Sequence, residues 1–343
     1  MTLRTCVAAA LAAAIPLSVQ AQTQSVRMGF GGTVGLDHPE VYVQNVAGFW
    51  KEERLNVAVT GQQGSVQSMQ LLQAGQLDFA QITPETAITA RAQGVPVVSV
   101  FATNKWISKL CVPPESPVQK VADLKGRKVG VPSATSGQRF FAQAMVKRVG
   151  VSPADVEYLP TGFGAAAAEA MKQGKVDALA YWGGWYIQVE NMGYKFRCYE
   201  LPGMENAPGH ALFTMEDTLK KNPDLVERVG RAHAKGLVYA MSHPEATAKA
   251  YWTVYPETKP ANVPEGQALA SNARLVARIL QDFQWSYPDW KFGMNSPQGW
   301  SALVQYLVDT GQLAQAVPAE RMYSNALVEQ YNKFDAAKVR SLP

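Results

Sequence analysis

Short apolar runs alternate with amphipathic stretches along the first half of the chain. The runs read VRMGF (26–30), LNVAV (55–59), LDFAQI (77–82) and VVSVF (97–101). They are separated by segments with helical periodicity, such as EVYVQNVAGFWKEE (40–53). Strands that alternate with helices at this spacing predict a mostly parallel sheet flanked by helices.

The same alternation restarts after the loop PPESP (113–117) and continues from GRKVGVP (126–132) to FRCYEL (196–201). Beyond that point HALFT (210–214) is the only clear strand pattern. The other segments are amphipathic and predict helices: PDLVERVGRAHAKGLVYAM (223–241), EGQALASNARLVARILQDF (265–283) and GWSALVQYLVDTGQL (299–313). We therefore predict two α/β lobes followed by a set of helices.

One unit occurs in both predicted lobes. VAVTGQQGSVQSMQLLQAGQLDFA (57–80) and VEYLPTGFGAAAAEAMKQGKVDALA (156–180) each run strand, glycine loop, helix, glycine, strand. Gly75 and Gly174 lie where the left-handed residue after a helix belongs. Asp78 and Asp177 each follow three residues later. The unit indicates two related lobes; a coincidence between two generic βαβ units is the alternative, and it leaves both lobes standing.

The loops that leave the predicted strands define a candidate cleft. In open α/β sheets, ligands bind outside the carboxyl ends of the strands. Two facing lobes would bring together FGGTVGLDH (30–38), TGQQGS (60–65), TPE (83–85), PSATSG (132–137), TGFG (161–164) and YWGGWY (181–186).

The N-terminus predicts export. Arg4 precedes a small apolar run from Val7 to Val19, and Val19-Gln20-Ala21 provides a cleavage site. The apolar run is shorter than the roughly 20 residues that a membrane-spanning helix needs, which disfavours an anchor. We predict that residues 1–21 are a signal peptide cut after Ala21 and that the protein is periplasmic.

Charge and cysteine content narrow the function classes. The formal net charge of +4 falls to +3 when Arg4 is removed, and no Lys/Arg run of the nucleic-acid-binding kind is present. Only Cys111 and Cys198 remain after Cys6 is lost, without metal or redox spacing. A bridge between them is allowed in an oxidising compartment, but the sequence does not decide it. Since common catalytic motifs such as G-x-S-x-G and H-E-x-x-H are also absent, we expect a non-enzymatic protein without a cofactor or metal.

Several segments together resemble a known family. They are the first loop with LDHP, VQNVAGFW, LLQAGQLDFA, RAQGVPVVSVF, VADLKGRKVGVPSATSG and KQGKVDALAYWGGWY. In this combination the chain resembles the periplasmic solute-binding proteins of ABC importers, in the branch that serves sulfonates, taurine, nitrate and thiamine-type pyrimidine precursors. The resemblance covers roughly Ser25 to Phe334.

The resemblance implies a type II-like, two-lobed binding fold with a hinge and a ligand cleft between the lobes. The chain would cross between the lobes near Leu110–Pro114 and near Leu201–His210. Residues 22–112 and 203–343 would form lobe 1 with the C-terminal helices packed on it, and residues 113–202 would form lobe 2. The implied partners are a small-molecule ligand and a membrane permease, and we expect a monomer. The alternatives are a pyrimidine-synthase-like enzyme and a ligand-sensing partner of a receptor.

Two of the loops supply candidate ligand contacts from their own residues. Ser133, Thr135 and Ser136 lie at a helix predicted to begin around Gln138, and a helix N-terminus suits an anion. Simple helix capping is the alternative. In YWGGWY, Trp182 and Trp185 are predicted to stack on the ligand as walls, with the flexible glycine pair between them; core packing is the alternative.

The resemblance adds further candidates. Asp37 and His38 lie in the first cleft loop, where pyrimidine-binding relatives often carry Asn-His, and Glu85 matches a family position close to the ligand. Weaker candidates in the same loops and at the hinge are Thr33, Ser65, Thr83, Trp106 and Phe163. Sulfonate binders tend to carry a polar or acidic residue where Gly183 stands. We therefore prefer an aromatic or heterocyclic ligand, anionic or neutral, with an alkanesulfonate as the alternative.

Overall fold

The computed structural model of the chain describes residues 23–162, 164–285 and 287–343, so the predicted signal peptide lies outside the described residues. The strands are β1 (Gln24–Phe30), β2 (Leu55–Gly61), β3 (Phe79–Ile82), β4 (Val97–Lys105), β5 (Ser108–Val112), β6 (Lys128–Val131), β7 (Glu157–Pro160), β8 (Ala178–Trp182), β9 (Arg197–Tyr199) and β10 (Pro208–Met215).

The helices are α1 (Pro39–Val46), α2 (Phe49–Glu52), α3 (Ser65–Gln73), α4 (Pro84–Ala92), α5 (Gly137–Arg148), α6 (Ala165–Lys172), α7 (Gly183–Glu190), α8 (Glu216–Lys221), α9 (Pro223–Ser242), α10 (Pro244–Val254), α11 (Glu265–Ile279), α12 (Pro297–Asp309), α13 (Val328–Tyr331) and α14 (Ala336–Arg340). Among the described residues, none of these helices combines the length and the apolar character needed to cross a membrane.

The strands form two five-stranded sheets with the same pattern. The first sheet has the order β2-β1-β3-β10-β4, and the second has the order β7-β6-β8-β5-β9. In the first sheet β10 is antiparallel to both of its neighbours, and in the second sheet β5 takes that role. The remaining paired strands, β1 with β2 and β3 and β6 with β7 and β8, are parallel. This confirms the predicted two-lobed α/β architecture; each sheet is mixed, with one strand running antiparallel to the other four.

The chain passes between the sheets earlier than the sequence predicted. β4 ends at Lys105 in the first sheet, and β5 begins at Ser108 in the second, so the first crossing is made by Trp106 and Ile107. The predicted crossing near 110–114 and the predicted boundary at residue 112 come too late, because β5 already belongs to the second lobe. No glycine or proline separates β4 from β5, so the sequence carries no turn signal between the two strands. The return crossing lies between β9 and β10.

The repeated unit has the predicted backbone geometry in both lobes. Gly75 follows α3 with φ 67°, and Gly174 follows α6 with φ 70°. Both values lie in the left-handed region that favours glycine at a helix end.

The similarity between the units extends to an ion pair. The Asp78 carboxylate accepts hydrogen bonds from the backbone N–H of Arg27 (2.8 Å) and from its guanidinium (2.7 Å). The Asp177 carboxylate accepts from the backbone N–H of Lys128 (2.9 Å) and from the guanidinium of Arg127 (3.0 Å). In each lobe, the aspartate after the helix is hydrogen-bonded to a neighbouring parallel strand and to an arginine in or next to that strand.

The C-terminal helices contact both lobes, whereas the sequence predicted packing on lobe 1. α9 and α10 pack against α1. α12 lies against α4 of lobe 1, and hydrogen bonds join α12 and the residue after it to α5 of lobe 2. The Tyr306 hydroxyl donates to the carbonyl of Phe141 (3.4 Å), and the Lys147 ammonium donates to the carbonyl of Thr310 (2.8 Å). One hydrophobic core therefore includes side chains from both lobes.

The two remaining cysteines form a disulfide. Cys111 on β5 and Cys198 on β9 are direct register partners in the second sheet, with their Cα atoms 4.0 Å apart. The bond thus joins the first and last strands of the second lobe, next to the two crossings.

Candidate functional site

The loop after β1 is held over the edge of the first sheet by two tyrosines. The Tyr42 hydroxyl donates to the carbonyl of Leu36 (3.0 Å), and the Tyr251 hydroxyl donates to the carbonyl of Val34 (3.3 Å). This anchoring buries Asp37 and His38, which end the loop. Both predicted residues therefore lie where the first sheet faces the second lobe.

Asp37 makes a direct contact with the second lobe. The indole N–H of Trp182 donates to the Asp37 carboxylate. Helix α7 begins at the next residue, Gly183, so the glycine pair opens a helix and does not form a loop. A Cβ atom placed on Gly184 would lie 3.0 Å from the Cβ atom of Asp37 and 3.1 Å from its Oδ2 atom. The lack of a side chain at Gly184 therefore lets the start of α7 approach Asp37.

A second contact across the cleft lies at the start of α5. A Cβ atom placed on Gly137 would be 3.4 Å from the Thr83 hydroxyl of lobe 1. Together with the bond between Trp182 and Asp37, this contact describes two lobes that have closed on one another.

His38 lies between two carboxylates. Its Nε2 atom is 3.7 Å from Oδ2 of Asp37, and its Nδ1 atom is 3.1 Å from Oε1 of Glu40. Burial alone lowers the pKa of His38, but the charges of Asp37 and Glu40 raise it, and the net shift of the pKa is upward. The ring also packs 4.6 Å from that of Phe30.

A second histidine, His210, follows the return crossing and lies next to His38. The ring of His210 lies 5.2 Å from that of His38, and its Nδ1 atom is buried without a hydrogen-bond partner. Burial, together with the charge of His38, lowers the pKa of His210 to about 3. His210 therefore carries a neutral ring on β10, next to His38.

Two buried residues that the sequence analysis did not single out lie behind His38. Glu40 on α1 and Gln81 on β3 are 0% and 1% exposed. The Gln81 amide donates to the Thr103 hydroxyl (2.7 Å) and lies 3.5 Å from Oε1 of Glu40. Oε2 of Glu40 and Oε1 of Gln81 have no partner. The one available signal was the polar Gln81 inside the apolar run LDFAQI.

Glu85 and Trp106 lie at the seam between the lobes. Glu85 is in the first turn of α4, and its Oε2 atom is buried without a partner. Burial raises the pKa of Glu85 to about 7, against the smaller opposing effect of hydrogen bonds from its own backbone and from Thr83. The Trp106 ring lies 5.8 Å from that of Phe141 and 5.9 Å from that of Tyr306, and its indole N–H is also without a partner.

Ser65 and Thr83 connect two of the strand-exit loops. The Ser65 hydroxyl oxygen accepts from the backbone N–H of Thr83 (3.2 Å) and from its hydroxyl (3.3 Å). These bonds hold the loops after β2 and β3 together at the cleft.

The loop before α5 is organised by its own backbone. α5 begins at Gly137, one residue before the predicted start, with Ser136 in the N-cap position. The Ser136 hydroxyl does not cap the helix but donates to the carbonyl of Ser133 (3.0 Å). Thr135 is exposed, as is Thr33 in the first loop. The structure therefore leaves these two threonines outside the group of buried polar residues.

Trp185 does not line the cleft as the sequence predicted. It is 2% exposed, stacks on Tyr181 with ring centroids 4.1 Å apart, and belongs to a hydrophobic core of lobe 2. The physical reason is that α7 starts at Gly183, which turns this side chain back toward the sheet. Only Trp182 of the pair reaches the first lobe. The remaining candidate, Phe163, lies outside the described residues.

A cavity of about 420 Å³ lies at the hinge. It is lined by both crossings and by Asp282, and Trp106 is the one predicted site residue in its wall. Apart from the Trp106 indole N–H, the unpartnered buried polar atoms of Glu40, Gln81, Glu85 and His210 lie outside its wall, so we place the candidate site between the strand-exit loops. In the described part of the chain, no group of three or more His, Cys, Asp or Glu side chains is arranged to hold a metal ion.

Comparison with known proteins gives concordant results. A family model described as "NMT1/THI5 like" matches residues 36–247. The riboflavin-binding protein RibY of Chloroflexus aurantiacus is 23% identical over 333 residues, which are 94% of this chain and 91% of RibY. The formylaminopyrimidine-binding protein of Halalkalibacterium halodurans is 23% identical over 296 residues, 84% of this chain and 86% of that protein.

A solved structure shares the fold. The periplasmic aliphatic sulphonate binding protein SsuA of Escherichia coli superimposes with a TM-score of 0.64 at 18% identity, covering 87% of this chain and 91% of SsuA. At this level of identity the likeness concerns the two-lobed fold.

Proposed function

The chain belongs to the NMT1/THI5-like family, and from this premise we propose that it is the substrate-binding component of an ABC-type importer. It captures a small organic solute in the periplasm and delivers it to a membrane permease. The preferred solute is aromatic or heterocyclic, and anionic or neutral. The relatives named as riboflavin-binding and formylaminopyrimidine-binding proteins support this class of ligand.

The observation that carries the proposal is the contact of the two lobes around buried polar groups. The Trp182 indole reaches the Asp37 carboxylate across the cleft, while Glu40, Gln81 and Glu85 each keep a buried oxygen without a partner. Unpartnered buried polar atoms are unfavourable unless a ligand or water completes them. A solute enclosed between the lobes would supply those partners, and a ligand that favours the closed form shifts the protein toward it.

The test is a titration of the purified mature protein. We expect an aromatic or heterocyclic solute, with riboflavin as the first probe, to raise the unfolding temperature and to reduce the radius of gyration in solution scattering. Trp182 and Trp106 lie at the lobe contacts, so the tryptophan emission should change as well. A folded protein that responds to no aromatic, heterocyclic or sulfonate solute would contradict the proposal.

An alkanesulfonate is the second candidate, and one observation favours it. α5 is twelve residues long and begins opposite Thr83 without a side-chain cap, so its first N–H groups face the cleft region. Helix N-termini of this kind bind oxyanions. Competition between taurine and the aromatic probes distinguishes the two candidates.

We propose binding without chemical turnover. The cysteine chemistry of a pyrimidine-synthase-like enzyme has no support, because Cys111 and Cys198 are joined to each other. Every bound solute should be recovered unchanged, and conversion of any of them would overturn this part. Capture of the ligand-loaded protein by vesicles that contain the permease would separate transport from sensing. N-terminal sequencing of the exported protein should begin at Gln22.

A further inference from the structure

Helix α7 has two contact faces, although it belongs to lobe 2. Ile187 packs against the hydrophobic core of lobe 1. Gly183, Ile187 and Glu190 are spaced four and three positions apart, which places them on one face of the helix. The other face belongs to the core of lobe 2, through Trp185, Tyr186 and Val189. α7 therefore buries one side in its own lobe and presents the other side to lobe 1.

The first turn of α7 comes close to two segments of lobe 1. A Cβ atom placed on Gly183 would lie 3.5 Å from Oδ2 of Asp282, in the turn that follows α11. A Cβ atom placed on Gly184 would lie 3.0 Å from the Cβ atom of Asp37, in the loop after β1. The helix thus starts between two carboxyl groups of the opposite lobe.

The last turn of α7 is joined to lobe 1 by an ion pair. Nη2 of Arg278, in the last turn of α11, lies 3.0 Å from Oε2 of Glu190, and α11 also packs against α7. A carboxylate in the last turn is unfavourable for its own helix, because the C-terminal end of a helix carries partial negative charge. The pairing of Glu190 with Arg278 in the closed protein offsets this effect.

The lobes are joined differently at α7 and at α5. At α5, one hydrophobic core includes side chains of both lobes. At α7, the cores of the two lobes are separate, and Ile187 is the apolar side chain of this helix that packs on the core of lobe 1. Apolar stabilisation scales with buried area, and exposed ion pairs contribute little. We therefore expect the lobes to separate more readily at α7 than at α5.

Glu190 and Arg278 lie outside the candidate site. Along the helix axis, Glu190 is about 10 Å from Gly183, where α7 meets the cleft. The side chain of Arg278 is 54% exposed and that of Glu190 is 31% exposed. Both residues lie in last turns of helices and not in strand-exit loops. An effect of either residue on solute affinity must therefore act through the position of α7.

We propose that Ile187, Glu190 and Arg278 form a latch that holds α7 on lobe 1 and sets solute affinity without contact with the solute. They are positioning residues, because they stabilise the closed form and a more stable closed form raises the affinity of a solute enclosed in it. The proposal rests on the function proposed above and adds determinants of affinity that lie outside the cleft.

The first test exchanges the charges of the ion pair. Arg278→Glu, Glu190→Arg and the double variant are prepared as mature protein, and riboflavin and taurine are titrated into each. We expect each single reversal to weaken the affinity of the probe that binds by about fivefold, since an attraction is replaced by a repulsion of similar size. The double variant should bind within about twofold of the native protein. Salt at about 1 M should reduce the differences, because exposed charges are then screened.

Lys249→Glu is the matched control for a charge reversal. Lys249 is 58% exposed and pairs with Glu245 (3.2 Å) within α10. The substitution changes the net charge by the same amount as Arg278→Glu, but it breaks no contact between the lobes. It should leave the affinity within about twofold of the native value.

The second test removes the apolar part of the latch. Ile187→Ala should weaken solute affinity by about fivefold, because the half-buried side chain loses part of its contact with lobe 1. The unfolding temperature of the solute-free protein should change little, since Ile187 is not part of the core of lobe 2. Met192→Ala is the control, because Met192 follows α7 closely and is 61% exposed. It should change neither quantity.

Solution scattering separates the latch from the binding function. Without solute, Arg278→Glu and Ile187→Ala should each have a larger radius of gyration than the native protein, because the closed form is less populated. Single reversals that bind as tightly as the native protein, or a double variant as weak as the single ones, would overturn the latch and leave the importer function standing. If no probe binds to the folded native protein, the proposed function fails, and an unchanged radius of gyration in the variants then overturns the latch as well.

Discussion

The two lobes use one backbone unit for different chemistry at the cleft. In both, a strand, a glycine loop, a helix and a left-handed glycine lead to an aspartate that is paired with an arginine. At the next strand exit the units diverge. Lobe 1 continues into α4 with the buried carboxyl of Glu85, whereas lobe 2 continues into α7 with Trp182 and two glycines. The shared backbone fixes where the exits lie. The side chains at the exits differ: lobe 1 supplies a carboxyl group, and lobe 2 supplies an indole ring and a close-fitting helix start.

The largest expected effect is a loss of stability at Trp185, and it tests whether this residue belongs to the core of lobe 2 or to its cleft face. Trp185→Ala removes a ring that stacks on Tyr181 in the core, so we expect the free energy of unfolding to fall by about 3–5 kcal/mol. Solute affinity of the folded protein should stay within about twofold, because the side chain does not reach lobe 1. Urea unfolding and a solute titration check the two halves of this expectation. A large loss of affinity with unchanged stability would show that Trp185 contacts the ligand.

The next effect concerns the ring that does cross the cleft. Trp182→Phe removes the indole N–H that donates to the Asp37 carboxylate. A hydrogen bond to a charged group contributes about 1.5–3 kcal/mol, and we expect closure to weaken by about 2 kcal/mol, or roughly 30-fold in solute affinity. Solution scattering should detect a more open protein. Trp252→Phe is the matched control, since its indole N–H has no partner, and it should leave the affinity unchanged.

The glycine pair offers an internal control for close approach. Gly184→Ala brings a methyl group 3.0 Å from the Cβ atom of Asp37, whereas Gly183→Ala places one at an ordinary 3.5 Å from Oδ2 of Asp282. We expect Gly184→Ala to weaken solute binding by about 1–2 kcal/mol through overpacking, with little change in the unfolding temperature of the open protein. Equal effects of the two substitutions on affinity would show that the approach of α7 to Asp37 is not limiting.

The last expected effect, the smallest per step of the variable changed, is a pH dependence of about 1 kcal/mol per pH unit that belongs to lobe 1. Burial raises the pKa of Glu85 from 4.5 to about 7. Between these values the folded protein holds a proton that the unfolded chain releases, so the free energy of unfolding should fall as the pH rises. The slope from this one group is about 1 kcal/mol per pH unit. Thermal unfolding of the native protein and of Glu85→Gln between pH 5 and pH 8 isolates it, and parallel curves would contradict it.

The order of strands and helices could be predicted from the sequence because it depends on local sequence patterns. Apolar runs at regular spacing gave the parallel strands, and the glycines at 75 and 174 marked the helix ends correctly. β5 was assigned to the wrong lobe because a chain that crosses a hinge in extended form carries no turn residue to mark the change of sheet. Local patterns specify strands, but which sheet a strand joins depends on the tertiary partners that it finds.

The candidate site was less accessible to sequence reasoning. Trp185 looked like part of a flexible loop, and only the start of α7 at Gly183 turns it into the core. Glu40 and Gln81 belong to a helix and a strand whose apolar neighbours hide them, and their chemistry depends on contacts between α1 and β3. The loop residues could be predicted from their positions after the strands. The buried polar groups could be identified only once the packing of elements distant in sequence was known.

The bond between Cys111 and Cys198 makes the second lobe a closed covalent ring. The two cysteines are 87 positions apart. The segments just outside them connect the lobe to the rest of the chain. A protease that cuts once inside this ring leaves both halves of the polypeptide attached to each other until a reductant is added. β5 and β9, the first and last strands of the lobe along the chain, would stay side by side at the hinge even after such a cut.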